Sequence, residues 1–156
     1  MPARPGVKLV VDIPTAPGRV LQAFCDSDAI EQWWHARRAI VVARPLGVFA
    51  IAWPEGPSDD VLGPLGGVLH GVVIDVRSAR ELFVADAYWQ PPAGDPLGPM
   101  SIRVACAVAP TGTTLDIEIA GGVAAPRWDR WFEVLRRDLP LAIDALTRWL
   151  EGPAGT

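Results

Sequence analysis

The sequence predicts an α+β fold in which a curved antiparallel sheet wraps a long C-terminal helix and encloses a largely apolar cavity. Three observations carry this. Short runs of alternating apolar residues recur between Pro- and Gly-rich turns, the mark of consecutive strands. Two short helical segments follow the first strand. From Ala125 to Glu151 apolar residues return every three or four positions. Strands joined by short turns pair antiparallel, and a helix with one apolar face must bury it against them.

The elements follow in order. In Val7 to Ile13, Leu9, Val11 and Ile13 share one face, while Lys8 and Asp12 share the other. Pro14 ends that strand. Thr15 or Ala16 can cap a short helix with Pro17 in its first turn and Val20, Leu21 and Phe24 as its apolar stripe. A second helix covers Asp26 to Trp34, where Asp28 and Glu31 have the spacing of a capping box. Strands are predicted at Arg38–Ala43, Gly47–Trp53, Val68–Val76, Glu81–Trp89, Met100–Ala109 and Thr113–Ala120. Pro54–Gly67 and Gln90–Pro99 hold too much Pro and Gly for regular elements and read as loops. In the final helix Pro140 predicts a kink, or a restart capped by Asp138.

The 156 residues suit one domain, residues 1–156 with a core of about 7–151. Half are hydrophobic and 21% are charged, which excludes wholesale disorder. Fourteen basic against eighteen acidic residues leave a net charge of −4. That balance gives no footprint for nucleic acid or an anionic membrane. Cys25 and Cys106 lack the spacing of a zinc or redox motif and read as reduced core thiols. With no signal-like or membrane-spanning run, the expected location is cytoplasmic.

Five segments in order resemble the START-like superfamily, also called SRPBCC or helix-grip, in the branch of homologues of the activator of the heat-shock-protein-90 ATPase. They are Ile13-Pro14-Thr15-Ala16-Pro17-Gly18-Arg19-Val20, Asp28-Ala29-Ile30-Glu31-Gln32-Trp33-Trp34, Gly71 to Val76 followed by Leu82, Gly112 to Ile117, and Trp149-Leu150-Glu151. The chain departs from that branch at Leu21, at Ile119 in place of a frequent His, at Asp86 in place of a frequent Trp, and at Arg77-Ser78-Ala79-Arg80 in place of a double-Pro turn. The resemblance implies a helix-grip fold, one that hosts binding proteins, cyclases and hydrolases alike. The co-chaperone activity of the larger eukaryotic proteins goes with an extra domain that this sequence does not supply.

Several residues are candidates for chemistry. Alternation places His70 with Val72, Ile74 and Val76 toward the cavity, as a general base, an orienting group or a hydrogen-bonded core His. His35 follows the double Trp as a helix-end cation or a surface cap. Asp86 shares a face with Leu82, Val84 and Tyr88. It is either a desolvated carboxylate paired with Arg103 or Arg38, or an outward strand residue. Tyr88 can donate from its hydroxyl while its ring packs. Trp33, Trp34, Trp53 and Trp89 suit a cavity mouth; Trp128, Trp131 and Trp149 suit helix–sheet core. Cys106 is a nucleophile without a visible base, or an inert core thiol. Nothing has the context of a phosphate loop or a metal site, so no cofactor is expected.

Three readings follow. The first is a cavity lined by Phe49, Ile51, Trp53, His70, Val72, Val84, Asp86, Tyr88 and Cys106 that binds a small hydrophobic or aromatic molecule. The second is an enzyme of the polyketide-cyclase or small-hydrolase type using His70, Asp86 and Tyr88. The third is a protein-interaction module with an exposed apolar patch. The oligomeric state is left open.

Overall fold

A computed structural model describes residues 5–152. Its main sheet has seven antiparallel strands in the order β1-β9-β8-β7-β6-β3-β2. These are β1 (Gly6–Ile13), β2 (Arg38–Val41), β3 (Val48–Trp53), β6 (Gly67–Arg77), β7 (Glu81–Gln90), β8 (Leu97–Ala109) and β9 (Gly112–Gly121). Helices α1 (Pro17–Cys25) and α2 (Ser27–Trp33) carry the chain from one sheet edge, β1, to the other, β2. Helix α3 (Pro126–Glu151) covers the inner face. The α+β arrangement and the element order match the sequence expectation. One addition is a two-residue ladder, β4 (Ser58–Asp59) with β5 (Gly63–Pro64), inside the predicted loop.

The core lies between α3 and the inner face. Helical spacing turns Trp131, Phe132, Leu139, Ile143, Leu146 and Leu150 inward, all buried. The sheet meets them with Leu115, Ile117 and Ile119 of β9 and Met100, Ile102 and Val104 of β8. In β1, Ile13 is buried, whereas Leu9 and Val11, near the sheet edge, are only partly covered. At the turn into α3, Gly122 adopts φ +76° and the Trp128 ring lies against it. A Cβ there would fall 2.3 Å from the ring.

One local expectation is corrected and two are narrowed. Asp26, not Asp28, caps α2, accepting from the Asp28 and Ala29 amides; Glu31 instead accepts from the Ala39 amide and ties α2 to β2. Of the two residues able to cap α1, Ala16 takes the position, without a side-chain bond, and the Thr15 carbonyl accepts from the Thr113 hydroxyl. Helix α3 runs through Pro140 without a restart. Asp138 is bonded by the Arg137 guanidinium rather than capping anything.

Two hairpins differ in regularity. β8 and β9 pair from Met100↔Gly121 to Ala109↔Gly112 without a shift. The β6–β7 ladder slips between His70 and Val72 and again between Val73 and Asp75, and β7–β8 slips between Val84 and Ala87. Asp86 lies in that last slip, at φ +50°. Gly71 faces it from β6, where a Cβ would meet Val84 Cγ1 at 2.7 Å and the Ala85 carbonyl at 2.9 Å.

Candidate functional site

The inner face of the sheet and α3 enclose a cavity of about 70 Å³ whose lining is entirely apolar. β3 contributes Phe49 and Trp53, β6 contributes Leu69, and β8 contributes Met100, Ile102 and Val104. Ile117 and Ile119 come from β9. Helix α3 adds Trp131, Leu135 and Leu139 at helical spacing of four, and Phe24 and Trp34 close the remaining side. Trp34, Trp53, Trp131, Leu135 and Leu139 also line a groove of about 280 Å³ that opens outward past Leu65, Gly66, Trp89 and Asp138. The two share those five residues, so the groove adjoins the cavity at its outward side, where its mouth lies.

The mouth is held in place by its own tryptophans. Trp89 and Trp131 stack at 4.5 Å between ring centres, and Trp34 meets Trp53 edge-on at 5.3 Å. Each rim indole except Trp34 spends its N–H internally. Trp53 donates to the Trp34 carbonyl (3.1 Å), Trp89 to the Gly66 carbonyl (2.7 Å) and Trp131 to the Met100 sulfur (3.2 Å). These bonds satisfy the polar edge of each ring and leave the faces for packing. Trp33, expected at the mouth, is instead buried beneath Trp34 and donates to the Ala23 carbonyl.

One wall of the mouth is the segment between β3 and β6, and it is tied down. Arg130 of α3 grips the Asp59 carboxylate at 2.7–2.8 Å, and the same carboxylate accepts from the Val61 and Leu62 amides. The Asp59 side chain is only 5% exposed. The Arg130 hydrogen bond and those amides lower its pKa to about 2.

The predicted site residues separate into three groups. Phe49 and Trp53 line the cavity. Ile51 and Val84 are on the same inner face, fully buried in core packing without reaching the open space. His70, Val72, Asp86 and Tyr88 lie on the outer face, which corrects the predicted orientation. In β6 it is Leu69, Gly71 and Val73 that are buried. In β7 the slip at Asp86 moves the inward set from Leu82 and Val84 to Ala87 and Trp89.

His70 and Tyr88 stack across the ladder, 5.9 Å between ring centres, with no hydrogen bond between them. Asp86 is exposed and bonds to neither. Its predicted partner Arg103 pairs with Glu81 and Asp116 instead. The three therefore form no catalytic triad. Cys106 points inward but lies away from the cavity. Burial, with Cys25 nearby, pushes its thiol up to about 11, and burial likewise raises Cys25 to about 11. Neither is a thiolate nucleophile near neutrality. His35 sits just past α2 at φ +53°, a surface helix-end position. Among the described residues no cluster of His, Cys, Asp or Glu has the makings of a metal site. No described helix is long and apolar enough to cross a membrane.

Sequence reasoning missed Leu69, Ile117, Leu135 and Leu139 as cavity residues. The unbroken alternation of β9 and the Trp131-Leu135-Leu139 spacing were the available signals.

Sheet order and helix placement define a helix-grip fold, with an apolar cavity under the C-terminal helix. Solved structures agree over nearly the whole chain. A protein from Mesorhizobium loti superposes with a TM-score of 0.71 at 22% identity, covering 94% of this chain and 96% of its own. One from Chromobacterium violaceum gives 0.70 at 15%, covering 96% and 99%. The AHSA1-like protein of Aeromonas hydrophila gives 0.64 at 16%, covering 94% and 92%. At such identities the likeness is one of fold. No protein-family model matches the chain, and no curated protein matches it.

Proposed function

We propose that the chain is a single START-like domain, working in the cytoplasm, that binds a small, mostly hydrophobic molecule in the cavity beneath α3. The observation that supports this reading is a space with an entirely apolar lining, adjoining a tryptophan-walled groove that shares five of its residues. The cavity has little more than twice a water molecule's share of the liquid, about 30 Å³. It therefore takes only the apolar end of a ligand, and the groove takes the body. Together they reach the lower end of the roughly 300–1,000 Å³ typical of ligand sites. Affinity comes from buried apolar area at about 25 cal/mol per Å², less the costs of association. Asp138 is the one charged side chain at the rim, and Arg137 already neutralises it. Binding is accordingly insensitive to salt.

The test is thermal stability against naphthalene and indole, with benzoate as an ionised control. Naphthalene is expected to raise the melting temperature and benzoate to leave it unchanged. Leu135→Trp, which fills the mouth, abolishes the shift, while His70→Ala and Tyr88→Phe on the outer face retain it. The reading is overturned if no apolar probe stabilises the protein up to its solubility limit. It is also overturned if His70→Ala removes the effect and Leu135→Trp does not.

A further inference from the structure

The outer face of the sheet is divided. Over β8, β9 and β1 it is charged and internally paired, with Lys8 and Arg103 on Asp116 and Arg103 on Glu81. Over β2, β3, β6 and β7 it is mostly apolar, interrupted by His70 and bounded by Arg38, Gln90 and Asp86. Ile40, Val48 and Ile74 are 43%, 42% and 43% exposed, and Ala50, Ala52 and Val72 lie between them, partly covered. A solvent-facing antiparallel surface is normally polar, and a contiguous apolar area of this kind marks an interaction site.

Charges at two opposite corners point to the occupant. The strand registers give three cross-strand rows: Arg38-Ala52-Val68-Gln90, then Ile40-Ala50-His70-Tyr88, then Val48-Val72-Ala85 with Asp86 beside it. Arg38 stands at one corner and Asp86 at the corner diagonally across. Both are exposed, and neither has an ion-pair partner among the described residues. From strand geometry the patch spans about 14 Å across and about 13 Å along the strands. It is close to square, so a twofold axis lying in the interface along the other diagonal exchanges those two corners.

We propose that two copies of the chain associate through this face about that axis. Arg38 of each copy then meets Asp86 of the other, twice in one dimer. The same operation seats Ile40 on the valines of the second copy's third row, and the Tyr88 ring over the small Ala52–Val68 pair. The two sheets cross near 90°, one of the two ways in which sheets pack face to face. Side chains included, the patch covers roughly 400 Å² per copy, about half of a standard interface. The dimer is therefore weak and concentration-dependent. This inference does not involve the cavity and stands apart from the ligand-binding reading.

Sedimentation velocity on the full chain from about 5 to about 500 µM tests it. The native protein is expected to shift from monomer to dimer across that range. Arg38→Glu and Asp86→Lys alone each place like charges in both contacts and are expected to raise the dissociation constant at least tenfold. An equimolar mixture of these two variants pairs opposite charges at both contacts and is expected to regain the dimer. Asp86→Asn, which tolerates the same left-handed backbone, weakens association several-fold even if Asp86→Lys fails to fold. A native chain that stays monomeric throughout overturns the proposal. So do single variants that dimerise like the native protein, or a mixture that does not recover.

Discussion

The β8–β9 hairpin and the β6–β7 hairpin belong to one sheet but solve different problems. β8–β9 is an unshifted ladder in which every second residue of β8 from Met100 to Cys106, and of β9 from Thr113 to Gly121, enters the core, and it supplies five of the cavity's apolar side chains. β6–β7 slips twice, and its partner ladder to β8 slips beside Asp86. Slips of this kind bend a strand and re-aim its side chains. The bent half brings Leu69 to the cavity and Trp89 to its mouth. It also leaves His70, Tyr88 and Asp86 on the outside. Regularity builds the cavity floor, and irregularity builds its rim.

Substitutions can break this contrast at three levels. Trp89→Ala should have the largest effect, since Trp89 is buried, stacks on Trp131 and holds Gly66. A loss of about 3–5 kcal/mol is expected in urea denaturation. Gly71→Ala comes next. Its new Cβ meets Val84 and the Ala85 backbone, so the bent ladder must shift, at about 1–3 kcal/mol in the same assay. The smallest effect is at Asp86. A β-branched residue at its positive φ is unfavourable, so Asp86→Val should cost about 1–2 kcal/mol. Asp86→Gly should be close to neutral. If Asp86→Val and Asp86→Gly melt together, the bend does not depend on the backbone conformation at Asp86.

The same contrast explains what could be read from the sequence. In β8, Met100, Ile102, Val104 and Cys106 alternate with less apolar neighbours and all face inward, although only Cys106 is named as doing so from the sequence. In α3 the apolar spacing identified the buried stripe, and of the kink and the restart that Pro140 allowed, the continuous helix excludes the restart. In β6 the run His70-Gly71-Val72-Val73-Ile74 is apolar on both faces, and alternation has no phase to offer. Val72 and Ile74, which alternation placed inward, belong to the outer apolar patch. In β7 the phase set by Leu82 and Val84 was right until Asp86, where one extra residue inverted it. Asp86 was itself a weak signal of the slip, since Asp is depleted on strands and tolerates a positive φ, but no residue type forces one.

The grip of Arg130 on Asp59 has a consequence in acid. Asp59 has a folded pKa of about 2, below the roughly 3.9 of an unconstrained aspartate. Its contribution to stability is fully present above that unfolded value and is lost as pH falls through about 2. Protonation there releases the wall between β3 and β6 from α3, while the apolar floor contains no group that titrates. Acid should therefore open this protein from the mouth inward. Hydrogen-exchange protection, taken relative to the intrinsic rate at each pH, is expected to fall between pH 4 and pH 2 first at the Val61 and Leu62 amides and only later in β9.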